Sequence, residues 1–132
     1  MIPQIMCIDD DKITLMFCET MLKKQNIAKK VITFIGAEEA LDYLAQKNDV
    51  DFIFLDLNMP HMDGWEFLEI YVQKIQPQYP KIKILILSSS INPDDIERAQ
   101  QYPIIIHFIS KPLTVQNLEN LKSIKEIQPF FV

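Results

Sequence analysis

The sequence predicts an α/β fold: an open, doubly wound sheet of five parallel strands with helices on both faces. Three observations predict it. Five short apolar runs recur along the chain, at residues 5–8, 31–35, 52–55, 82–87 and 104–109. They are continuous rather than alternating, the pattern of strands covered on both faces. The segments between them are long enough for crossover helices, and no repeat, low-complexity tract or linker interrupts the series.

The first strand runs into Asp9-Asp10-Asp11, and the first helix is expected to begin near Asp11. Thr14, Phe17, Cys18, Met21 and Leu22 recur there at i, i+3, i+4, i+7, i+8, the stripe of a helix packed on a sheet. Ile13, Leu15 and Met16 then add apolar surface beyond that stripe, and docking of a partner competes with ordinary burial as their role. The strand at 31–35 leads to a helix expected at 37–46. The strand at 52–55 passes directly into Asp56, and a helix is expected at 64–74, with Trp65 and Phe67 contributing to packing. The fourth run ends in Ser88-Ser89-Ser90 before a helix at 93–101, whose first turn suits Pro93 and the Asp94-Asp95 pair. The fifth ends in Ser110-Lys111-Pro112 before a helix at 114–124. Residues 129–132 either cover a core edge or fray. Right-handed crossovers and the flavodoxin-like strand order 2-1-3-4-5 bring the carboxyl ends of strands 1, 3 and 4 together, with strand 5 beside strand 4. A ligand site is expected in that crevice.

Length and composition bound the function. The 132 residues fit a single domain, 1–132, with no room for an output domain. Hydrophobic residues make up 48% and charged residues 23%, enough apolar side chain for a globular core. A net charge of -5 offers no basic stripe for nucleic-acid phosphates. No apolar run approaches the roughly 18 residues that span a bilayer, so the cytoplasm is the default location. Cys7 and Cys18 have neither CxxC nor metal-ligand spacing and are expected to be small core residues. His61 and His107 likewise lack a ligand partner at a recognisable spacing.

Polar residues at the strand ends carry the chemistry. Gathering Asp9, Asp10 and Asp56 is unfavourable by itself, since two unit charges about 4 Å apart repel by roughly 4 kcal/mol at an effective dielectric near 20. A hard divalent cation offsets this, and Mg²⁺ typically uses one or two carboxylates while keeping several waters. Lys111 supplies a fixed positive charge on the far side of Asp56, and Ser88 a hydroxyl donor. Such a set can stabilise the spread charge of a transferring phosphoryl group. Capping accounts for Asp11 but not for three aspartates, and Asp56 has no capping role.

The run Asp56-Leu57-Asn58-Met59-Pro60-His61-Met62-Asp63-Gly64 after an apolar strand resembles the signature of response-regulator receivers, and the resemblance covers essentially the whole chain. Asp9-Asp10, Ser88 and Lys111-Pro112 complete the pattern in order. The resemblance implies Asp56 as phosphoacceptor and Mg²⁺ as cofactor, with Asp10, Asp56 and the backbone carbonyl of Asn58 as ligands and Asp9 acting mainly through water. It implies Ser88 as switch hydroxyl, Lys111 as phosphoryl-binding cation, Phe108 as aromatic switch, and a cis Lys111-Pro112 bond. Asn58 and Ser90 occupy positions that tune the phosphoryl lifetime. Ser89 departs from the usual alanine or glycine.

The function expected is a stand-alone signalling switch that takes a phosphoryl group from a histidine kinase or histidine phosphotransfer protein and later loses it by hydrolysis. It would catalyse its own phosphorylation without being a metabolic enzyme, and would signal to a downstream protein target through contact. Two alternatives stand beside it: a receiver-like adaptor that needs no phosphorylation, and a haloacid-dehalogenase-type phosphatase. The latter usually has an aspartate where this chain has Asn58. A nucleotide- or flavin-binding module is disfavoured because Gly36 and Gly64 alone cannot make G-x-G-x-x-G.

Overall fold

The computed structural model describes all 132 residues, Met1–Val132. Strands and helices alternate: β1 (Ile2–Ile8), α1 (Lys12–Lys24), β2 (Ala28–Phe34), α2 (Ala37–Leu44), β3 (Phe52–Leu55), α3 (Gly64–Lys74), β4 (Lys83–Ser88), α4 (Pro93–Ala99), β5 (Ile105–Ser110) and α5 (Val115–Leu121), followed by a 3-10 turn, Gln128–Phe131. All neighbouring strands are parallel, in the order β2-β1-β3-β4-β5. This is the doubly wound architecture expected.

Strand alternation divides the core into two. Met6, Ile8, Ile53, Leu55, Ile84 and Ile86 face α2, α3 and α4 in a cluster of 20 buried residues. Ile5, Cys7, Phe52, Phe54, Leu85 and Leu87 face α1 and α5 in a cluster of 18. The near balance explains why the apolar runs are continuous: every residue at 5–8, 52–55 and 84–87 lands in one cluster or the other. Both cysteines are free and buried, as expected.

Boundaries depart from expectation where backbone pairing, not apolar patterning, sets them. β1 and β2 start three residues before their apolar runs because Ile2 pairs with Ala28 and Gln4 with Lys30. Helices α2, α4 and α5 end two or three residues early. Thr114 is not the first residue of α5 but its cap, sharing a capping box with Asn117.

The first helix corrects the expected stripe. Leu15, Cys18 and Leu22 are its buried residues, Phe17 is exposed, and Thr14 and Met21 are only half-buried. Leu15 therefore belongs to the core rather than to the surface. The buried face follows Leu15, Cys18 and Leu22, at i, i+3 and i+7, while the Thr14 hydroxyl donates to the Asp11 carboxylate, 3.1 Å away, at the start of the helix. The open choice for the C-terminal tail also resolves. Phe130 packs edge-on against Phe52, with centroids 5.7 Å apart, and its carbonyl accepts a hydrogen bond from the Met1 ammonium. The tail covers the amino-terminal edge of the sheet.

Candidate functional site: an acidic crevice at the strand ends

The carboxyl ends of β1, β3, β4 and β5 converge as their order requires. Asp9 follows β1 and Asp56 follows β3; both are buried. Asp10 is exposed at the mouth, and ligand oxygens of Asp9, Asp10 and Asp56 all lie within 4.8 Å of one another. Asp11, by contrast, turns away to cap α1, accepting the Ile13 amide hydrogen at 2.9 Å.

Each buried carboxylate divides its oxygens in the same way. One oxygen accepts a backbone N–H two residues on, Asp11 to Asp9 at 2.9 Å and Asn58 to Asp56 at 3.2 Å. The other faces Lys111, whose ammonium lies 2.5 Å from Asp9 and 3.4 Å from Asp56. Lys111 thus sits between the two carboxylates and nearer Asp9, not on the far side of Asp56. Its backbone N–H donates to the Ser88 carbonyl at 3.0 Å, which holds the end of β5 against the end of β4. The Lys111-Pro112 bond is cis, as the resemblance implies.

Electrostatics follow from this packing. Burial raises the pKa of Asp9, and the Lys111 and Asp11 hydrogen bonds oppose the rise without cancelling it. Burial works to lower that of Lys111, but the hydrogen bond to Asp9 and the charge of Asp56 outweigh it, so the ammonium is held above its ordinary range. The three clustered carboxylates present hard oxygens around one point, and one lysine cannot balance them. That donor set fits a small divalent cation.

Ser88 is fully buried, and its Oγ accepts a hydrogen bond from the Asn58 side-chain amide at 3.2 Å. Only the backbone carbonyl of Asn58 figured as a ligand in the sequence reading; the side-chain contact came from the fold. The Ser88 hydroxyl proton is left free to donate. Phe108 is half-buried against the α2–α4 cluster, and His61 is exposed with φ 66°. Gly64 explains the last letter of the signature: a Cβ there would come within 2.8 Å of the Asp56 carbonyl oxygen and the Leu57 Cα. A further cluster, Trp65 with Asp95 and Arg98, had no sequence signal because it joins different helices.

Comparison with known proteins decides the family: the response regulator receiver domain matches residues 5–122. The chain belongs to that family. It is 26% identical over 119 residues to the two-component response regulator ARR10 of Arabidopsis thaliana, covering 89% of this chain and 20% of that one. It is 32% identical over 121 residues to the hybrid signal transduction histidine kinase D of Dictyostelium discoideum, covering 89% of this chain and 8% of that one. The receiver therefore spans a fifth or less of these relatives. Among solved structures, a two component response regulator from Cytophaga hutchinsonii superposes with a TM-score of 0.82 at 29% identity, over 90% of this chain and 92% of that one. Membership sets aside the phosphatase and nucleotide-binding alternatives. The receiver is a signal-transduction module with an acidic pocket of the kind that holds a phosphoacceptor and a metal.

Proposed function

We propose that this receiver is a phosphorylation-dependent switch that accepts a phosphoryl group on Asp56 from a phosphohistidine of a histidine kinase or phosphotransfer protein, in the cytoplasm. The gathering of Asp9, Asp10 and Asp56 within 4.8 Å, with Lys111 reaching both buried members, carries the reading. An Asp56 oxygen attacks phosphorus, a P–O bond forms, the donor P–N bond breaks, and the histidine nitrogen keeps the electron pair. Lys111 is 3.4 Å from Asp56 and steadies the charge of the transferring group; Ser88 donates its free proton to a phosphoryl oxygen. Asp10, Asp56 and the Asn58 carbonyl would hold Mg²⁺, with Asp9 mainly through water; the ion supplies charge neutralisation. Water later hydrolyses the acyl phosphate.

The phosphodonor is proposed to approach along α1. Ile13, 78% exposed, and Phe17 line a groove of about 450 Å³ together with Leu87, Lys111, Pro112 and Leu113, and Met16 is a further exposed apolar side chain of the same helix. An apolar face beside the acceptor fits a helix carrying the phosphohistidine. Output would follow when Ser88 moves toward the phosphoryl group, Phe108 turns inward, and the α4, β5 and α5 face changes for a downstream protein.

The test compares amide chemical shifts with and without Mg²⁺ and beryllofluoride, a mimic of the aspartyl phosphate. Wild type should shift from Asn58 through to Phe108, and Ser88→Ala should confine the shifts to the metal site. Shifts that spread equally without the Ser88 hydroxyl contradict the switch. Titration with Mg²⁺ alone should saturate and weaken markedly in Asp10→Ala; indifference to that change excludes the ligand set.

A further inference from the structure

Helix α4 has little of its own to hold it in place. Ala99 is its one buried residue, and Ile96 is 47% exposed. A single side chain from α3 makes up the difference. Trp65, the only tryptophan, is 7% exposed, and its indole N–H donates to Asp95 Oδ1 at 3.3 Å. The other Asp95 oxygen accepts the Asn92 backbone N–H at 3.2 Å, closing the capping box of α4. The Arg98 guanidinium lies 4.7 Å over the indole ring, and the Tyr102 ring is 5.9 Å away. Trp65 thus touches the first turn of α4, its last turn and the chain that leaves it, through a hydrogen bond, a cation–π contact and an aromatic pair.

The root of that side chain lies in the site. Trp65 directly follows Gly64, whose N–H donates to the Leu57 carbonyl at 3.0 Å and whose Cα has no room for a methyl against the Asp56 carbonyl. The backbone carrying Asp56 and Asn58 is therefore packed against the start of α3. Resting on the phosphorylation reading above, we infer that Trp65 is a positioning residue that clamps α4 in its resting arrangement and transmits movement of the 57–64 segment to it. This route runs through α3 and is separate from the one through Ser88 and Phe108.

Two variants separate the clamp from general stability. Trp65→Phe keeps a ring in the core but removes the N–H donor and part of the surface beneath Arg98. Asp95→Asn leaves one acceptor oxygen where the wild type uses two, at a half-buried position, and so loosens both the indole contact and the α4 capping box. Without any phosphoryl mimic, amide hydrogen exchange in α4 should be at least about tenfold faster in both variants, with β3, β4 and α5 unchanged. Unchanged α4 exchange in Trp65→Phe, whose α4 capping box is intact, or acceleration spread equally over every element, overturns the clamp. With Mg²⁺ and beryllofluoride, the single indole N–H resonance should shift in wild type and shift less in Asp95→Asn. If the Asn58 and Ser88 amides respond while the indole does not, the transmission is wrong and the receiver reading stands. If Asn58 itself does not respond, the phosphorylation reading fails and the transmission falls with it, while the exchange result still decides the clamp.

Discussion

Gly64 leaves no room for a side chain, because the obstructing atoms are the Asp56 carbonyl and the Leu57 Cα rather than a mobile side-chain end. Gly64→Ala should lower stability by about 1 to 3 kcal/mol in urea unfolding and displace Asp56, slowing its phosphorylation. An unchanged midpoint would mean the backbone yields there at no cost. His107 gives a pH signature. Burial disfavours its imidazolium and lowers its pKa from the ordinary 6.5. The unfolded chain then binds the proton at higher pH than the folded one, so the His107 contribution is complete above 6.5 and is lost as pH falls toward the folded value. Comparing urea midpoints at about pH 7.5 and about pH 5, wild type should lose stability relative to His107→Gln; a constant difference would show that the imidazole is not desolvated. At this scale the acidic residues were legible, since Asp9-Asp10 follows one apolar run and Asp56 another. The Asn58 to Ser88 bond was not: thirty residues separate the partners, and neither side chain has a local pattern that names the other.

Among the elements, α1 shows what periodicity resolves and what it leaves open. An amphipathic helix was evident, but two stripes overlapped, one through Phe17 and one through Leu15, and hydrophobicity alone favoured the first. Packing against the sheet takes the second: Leu15 is buried and Phe17 is exposed. Leu15→Ala should therefore cost about 2 to 5 kcal/mol, as for other buried leucines. Ile13→Ala and Met16→Ala should each change stability by no more than about 0.5 kcal/mol while slowing phosphotransfer from a partner histidine. Equal losses of stability at all three positions would contradict the face assigned to α1. Helix starts were better marked than helix ends: Asp63, Asn92 and Thr114 each cap with a partner three residues on, whereas α2, α4 and α5 simply stop. The edge strand β2 carries exposed Lys29 and Lys30, which keep its open side from pairing with other chains.

For the whole molecule, the order of strands does most to create function. Nothing in residues 9, 56, 88 and 111 makes them neighbours along the chain; parallel pairing of β1, β3, β4 and β5 brings their ends to one crevice. That convergence was predictable from continuous apolar runs and right-handed crossovers, which is why the site could be anticipated together with the fold. The position of Lys111 could not, because it depends on how two buried carboxylates share one ammonium. The central claim is that this crevice directs a phosphoryl group to Asp56. Intact-protein and peptide mass spectrometry after incubation with acetyl phosphate and Mg²⁺ tests it most directly. The account predicts the added mass of one phosphoryl group, located on the peptide containing Asp56, dependent on Mg²⁺ and absent from Asp56→Asn. A phosphoryl group that persists on another aspartate of the Asp56→Asn protein, or that forms equally well without Mg²⁺, would contradict it.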